Sequence, residues 1–214
     1  MSAEQAVELS ALQLDALTEL VNLGVSRAAT SLALMMNEEV LLSVPKVALL
    51  SREDAIRTLG RREAHNLVGV HQIFEGDITG RALLIFPEEQ SLDLVRSVVG
   101  GNLSLEELIE LEQEALAETG NVILNSCLAT MANSLESSLR ISLPEVLRGE
   151  CSRFFTLDPP PEPGSTVMFM AINFEVRKKN IDGYIAMLMD MPSLSALEVL
   201  LDNLIQRTVG LPAG

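Results

Sequence analysis

An internal offset of 99 residues constrains this chain more than any other feature. In DALTELVN, residues 15–22, an acid, a second acid and an amide stand four and three residues apart, as Asp15, Glu19 and Asn22. In EALAETGN the same spacing returns as Glu114, Glu118 and Asn121, and the same offset carries Pro45 to Pro144. A chain of 214 residues that repeats itself once is expected to build one core from two matching halves, neither of which need be stable alone.

Each half reads as a long helix, a strand after the proline, a hairpin and a closing helix. The first long helix is expected from about Leu12 to Met36. The second starts at SLEEL, where Ser104 and Glu107 have the spacing of a capping box, and runs to about Leu135. LVGVHQIFEGDITGRALLIF and STVMFMAINFEVRKKNIDGYIAMLM read as the two hairpins, the first turning at EGD and the second at the longer, solvated VRKKN. PEEQSLDLVRSVVGG and PSLSALEVLLDNL read as closing helices. SREDAIRTLG, from Ser51 to Gly60, reads as one more short helix with a weak counterpart after Pro144, and TLDPPPEPGST as a connection. The expected fold is α+β, a pseudo-two-fold symmetric single domain over 1–214 with repeats at about 10–100 and 104–205. Its six-stranded, mostly antiparallel sheet would carry two long helices bearing the motifs, plus shorter helices.

Charge narrows the partners. Fifteen Lys and Arg against 30 Asp and Glu leave a net charge of -15, which repels nucleic acid and anionic lipid. No apolar run approaches the roughly 20 residues that span a bilayer, and MSAEQAVELS lacks the basic start and apolar centre of a signal peptide, so a cytoplasmic protein without membrane insertion is expected. Cys127 and Cys151 are expected to be reduced apolar fillers. His65 and His71, six apart, suit no helical metal pair and would share one face of a strand, so no metal site of the chain's own is expected.

At about 100° per residue, positions 15, 19 and 22 fall within a fan of roughly 60° and span about 10 Å of helix. A polar stripe on a solvent face accounts for one such row; recurrence with a proline in register asks for more. A carboxylate can pair with a partner's cation, and a carboxamide can donate to and accept from one water at once. Asn is a poor general base, but an amide can hold a water in line for attack. The chain has no Walker loop to hold a nucleotide, so whatever is hydrolysed arrives bound to another molecule.

These doubled rows resemble the signature of the CheC, CheX and FliY phosphatases of bacterial chemotaxis. DALTELVNLGVSRAATSLALMMN is similar to that family's first long helix and EALAETGNVILN to its second, and the resemblance runs from about residue 10 to 205. It implies hydrolysis of the aspartyl phosphate of a CheY-like response regulator. Glu19 and Glu118 would dock to the receiver's active-site lysine, and Asn22 and Asn121 would orient the attacking water. Asp15 and Glu114 would extend the binding row, and Pro45 and Pro144 would shape the following strand. The receiver would bring its own Mg²⁺, and the deamidase CheD is a further possible partner. Two positions depart from the pattern: Val21 stands where the family often has Gly, which Gly120 keeps, and Glu114 replaces the usual Asp or Ser. Two copies favour a CheC-type chain over CheX, and the sequence ends before the C-terminal module expected of FliM and FliY. The alternatives are a non-catalytic module that binds a receiver or CheD, or a flagellar switch-like component.

Overall fold

The computed structural model describes residues 9–43, 47–62, 66–100, 104–156, 166–176 and 179–209. Six helices and eight strands follow in the order α1 (Ala11–Met36), β1 (Val40–Ser43), β2 (Val47–Ser51), α2 (Arg52–Arg62), β3 (Leu67–Gly76), β4 (Gly80–Pro87), α3 (Glu88–Val99), α4 (Leu105–Ser134), β5 (Leu139–Ile141), β6 (Glu145–Gly149), α5 (Cys151–Phe155), β7 (Thr166–Val176), β8 (Lys179–Met189) and α6 (Met191–Val209). The class is α+β, as the pattern predicts.

Both long helices start on the same chemistry. Ser10 accepts from the Gln13 backbone N–H while the Gln13 side chain reaches back, and Ser104 and Glu107 do the same for α4. Each capping box satisfies two backbone donors that a helix start would otherwise leave without partners. α1 ends where Asn37 takes the left-handed conformation that asparagine tolerates.

One antiparallel sheet runs β1-β7-β8-β4-β3-β5, with β2 also paired to β7 and β6 to β3. Among the described residues the expected six strands are eight, because each outer position is filled by two short strands in succession. On one edge the interruption falls at Ser142–Pro144, where proline offers no N–H to continue a ladder. The second hairpin is also tighter than expected: β7 reaches Val176 and β8 begins at Lys179, so three of the five residues in VRKKN are strand. Arg177 and Lys178, most of TLDPPPEPGST, Pro45 and His65 lie outside the described residues.

Alternation along the strands explains the layers. In β4, Ala82, Leu84 and Phe86 face one core with α1, α3, α4 and α6, while Leu83 and Ile85 face a second with α2 and α5. β8 divides likewise, Ile185 and Met187 against Tyr184 and Ala186. The two central strands are buried on both faces, which is why ALLIF and YIAMLM are continuous apolar runs. The larger core joins Leu17, Val21, Val25 and Leu32 of α1 to Leu116, Ile123, Leu128 and Met131 of α4. Phe154 and Phe155 of α5 and Leu59 of α2 anchor the smaller one.

α1 and α4 meet closely. A Cβ added to Gly24 would stand 2.8 Å from the Cys127 Cα, so only a glycine lets the helices cross there. Beside the crossing, Arg27 donates to the Thr130 hydroxyl at 3.2 Å. Cys127 is fully buried and its thiol is pushed up to about 12 by desolvation; Cys151 is pushed up to about 11 for the same reason. Neither is a ready thiolate; Cys127 fills the core as expected, whereas Cys151 is half-buried and donates its thiol to the Ile56 carbonyl at 3.4 Å.

Candidate functional site: two acid and amide rows

The rows fall where the helical period puts them. On α1, Leu17, Val21 and Gly24 turn to the core while Asp15 and Glu19 are exposed and Asn22 is half-buried at the boundary. On α4, Leu116, Gly120 and Ile123 turn inward, Glu114 and Glu118 are exposed, and Asn121 is half-buried. Each row therefore pairs carboxylates in solvent with a carboxamide partly sheltered by the fold. Glu114, longer than the usual residue, points to solvent as Asp15 does.

Each helix is fixed two residues before its first acid. Gln13 donates to the Asp202 carboxylate on α6 at 2.7 Å. Glu112, almost fully buried, accepts from the Ser91 hydroxyl on α3 at 2.6 Å and pairs with Arg148 on β6 at 2.6 Å. Arg148 also reaches Glu88, at 3.3 Å. A buried carboxylate paired and hydrogen-bonded in this way holds position, and removal of either partner strands the other.

Below the amides the two rows differ. A Cβ added to Gly120 would come within 2.4 Å of the Val70 Cβ, so glycine is what lets α4 lie directly on β3. At the same place in α1 stands Val21, fully buried, and among the described residues α1 makes no comparably close backbone approach to β7. The descent of α4 brings Asn121 onto Gln72 of β3. Gln72 Nε2 donates to Asn121 Oδ1 at 3.2 Å and to the Ser142 carbonyl at 2.9 Å. Asn125 Nδ2, one turn on, donates to the same Asn121 oxygen at 2.7 Å. Asn22 has no side-chain hydrogen bond among the described residues.

Sequence reasoning missed Gln72 and Asn125. A signal was there: Gln72 is a polar residue at a core-facing position of an apolar strand, and Asn125 lies four residues after Asn121. Pro144 stands half-buried immediately before β6. His71 lies in the sheet and is buried, its pKa lowered by desolvation and then by the Arg81 charge, with Glu145 acting weakly the other way. Among the described residues no group of three or more His, Cys, Asp or Glu is arranged to hold a metal ion, and no described helix is long and apolar enough to cross a membrane.

The CheC-like family model matches residues 12–49, which hold the first row. CheY-P phosphatase CheC of Bacillus subtilis is 32% identical over 140 residues, 63% of this chain and 65% of that protein, so the alignment spans just under two thirds of the relative's length. CheC1 of Halobacterium salinarum is 26% identical over 150 residues, 69% of this chain and 75% of its own. Among solved structures, FliY of Thermotoga maritima shares the fold with a TM-score of 0.72 at 17% identity, over 92% of this chain and 99% of that one. The segment holding the first row is thus similar to the CheC-like family, the chain is similar in sequence to CheC of Bacillus subtilis, and its fold is the one FliY of Thermotoga maritima shows.

Proposed function

We propose that this protein hydrolyses the aspartyl phosphate of a CheY-like response regulator. The observation that carries the reading is the pair of rows, each with carboxylates in solvent and one half-buried carboxamide beside them. The activity named for the Bacillus subtilis relative supports the same chemistry. Residues 1–214 are taken as one domain of two repeats, about 10–100 and 104–205, each presenting one row.

Glu19 and Glu118 dock to a lysine of the receiver, a charge-assisted contact that sets register as well as affinity. Asp15 and Glu114, one turn earlier, extend the negative edge that meets the receiver. With the receiver seated, Asn22 or Asn121 lies over the acyl phosphate and fixes one water in line with the phosphorus–oxygen bond to the aspartate. The water oxygen attacks phosphorus, that bond breaks, and the aspartate leaves as a free carboxylate. The water's protons go to the departing inorganic phosphate and solvent, since an amide takes up none. Mg²⁺ brought by the receiver would neutralise the phosphoryl charge, while this chain's acids and amides supply position.

The test is phosphate release from a receiver loaded with acetyl phosphate, with and without the protein. Decay faster than the receiver's own rate, at phosphatase well below receiver concentration, is expected. Binding without acceleration, across several receivers, would assign the chain to the class of non-catalytic binders.

A further inference from the structure

We propose that Gln72 and Asn125 are positioning residues for Asn121, which they hold with its carboxamide oxygen inward and its NH₂ group toward the receiver. The inference rests on the phosphatase reading above and divides its two rows: the second is preorganised and the first is not.

A backbone carbonyl anchors the argument. Ser142 is locked to β3 by its N–H, which donates to the Ile73 carbonyl at 2.8 Å, and by its hydroxyl, which accepts from the Ile73 N–H at 2.9 Å. Its own carbonyl can only accept, so the Gln72 atom 2.9 Å away is the amide nitrogen. The second hydrogen of that nitrogen then points at Asn121 Oδ1 at 3.2 Å, with Asn125 Oδ1 farther off at 3.5 Å, so both asparagines turn their oxygens toward Gln72. Asn125 Nδ2 fills the remaining lone pair of the same oxygen at 2.7 Å. An amide oxygen accepts two hydrogen bonds, so Asn121 Oδ1 is saturated within the fold. What the second row presents to a substrate is Asn121 Nδ2, a donor in one orientation. It holds the attacking water by the water's oxygen, leaving the other lone pair free for phosphorus.

Gln72 is poorly suited to the core on packing grounds. It is fully buried, and its Oε1 has no hydrogen-bond partner among the described residues. A buried acceptor without a partner is costly, and an apolar side chain of similar size would avoid that cost. The other half shows the apolar solution. Val70 pairs with Val146 as Met170 pairs with Val47, so the position matching Gln72 in β7 is Ile172, buried in the same core. The offset of 99 likewise places exposed Ser26 where Asn125 stands. The first row therefore has neither support, and no side-chain hydrogen bond among the described residues fixes Asn22.

Each row can be read alone, the second in an Asn22→Ala background and the first in an Asn121→Ala background. Gln72→Leu is expected to lower the saturated rate of the second row about tenfold or more, as loss of a held geometry does, with KM for the phosphorylated receiver little changed. The first row should keep its rate, and Tm should hold or rise. Asn125→Ser, which installs the first half's residue on an accessible helix turn, should act in the same direction and guards against misfolding of the strand variant. An unchanged second row in both variants, or equal loss in both rows, overturns the proposal. Side-chain amide relaxation by NMR gives a readout that needs no turnover: Asn121 restricted in the parent and mobile in Gln72→Leu, Asn22 mobile in both. Should the parent hydrolyse nothing, the phosphatase reading fails while this measurement still decides the positioning; equal Asn121 mobility in parent and variant would overturn it.

Discussion

The two rows offer the same groups at the same spacing but stand on different foundations. Under Asn121 the helix has Gly120, lies on Val70 of β3 and meets a polar residue there. Under Asn22 it has Val21, buried among apolar neighbours, and the matching position on the sheet is Ile172. A single side chain on the core side thus sets how near a surface amide comes to the sheet, and so whether its orientation is fixed. Surface motifs with identical letters can differ in readiness because of residues that the motif does not include.

The largest effect should come from removing both amides. Asn22→Ala with Asn121→Ala is expected to return phosphate release to the receiver's basal rate, each single change costing its own row on the order of a hundredfold. If the double variant, with unchanged Tm, hydrolyses at the parental rate, the amides are not the groups that hold the water. The single variants sharpen the comparison: Asn121→Ala should leave the slower row.

Gly120→Ala should break the difference from below. Its new methyl meets Val70, and overpacking of this kind costs about 1–3 kcal/mol in a well-packed core. Melting curves should show that loss, and with the Asn22→Ala background the second row's rate should fall. A second row unaffected by Gly120→Ala would separate helix height from catalysis.

The acids should not distinguish the rows. Glu19→Gln and Glu118→Gln together are expected to weaken binding of a receiver carrying a phosphate mimic by about tenfold, roughly 1.4 kcal/mol, more than they slow a saturated reaction. Calorimetric titration that finds equal affinity for parent and double variant removes the docking role.

The smallest effects concern the helix starts. Ser10→Ala should cost about 1 kcal/mol, the usual worth of an N-cap. At the other cap the partner is an acid, and the Ser104 backbone and side-chain hydrogen bonds hold the Glu107 carboxyl below its ordinary value. A depressed folded-state pKa gives stability that is present above the ordinary value of 4.5 and is lost as pH falls through the folded value. Unfolding followed against pH should therefore show an acid-dependent loss in the parent that Glu107→Gln reduces, while Gln13 on the first helix contributes none.

Much of the frame was legible in the sequence. Both long helices stand within a residue or so of their expected limits, because each carries a capping box and a period of 3.6 that the core enforces. The rows were legible too, since a helix fixes the angle between residues three and four apart. The eight strands were not: a proline marks an interruption in an edge, but whether one strand or two follows depends on partners across the sheet. α5 has only five residues, and Phe154 and Phe155 become helical through burial against α2 and the second sheet face, a tertiary cause with no local period.

The sequence by itself determined the chemistry available to this protein: two rows of acids and an amide, each on one face of a helix, because side-chain direction in a helix follows from local geometry alone. The tertiary structure decided how that chemistry is held. Gln72 lies 49 residues before Asn121 and Ser142 lies 70 after Gln72, and only the pairing of β3 with its neighbours and the descent of α4 at Gly120 bring the three together. Hydrogen bonds span about 3 Å, so contacts between residues far apart in the chain exist only once packing has closed the distance.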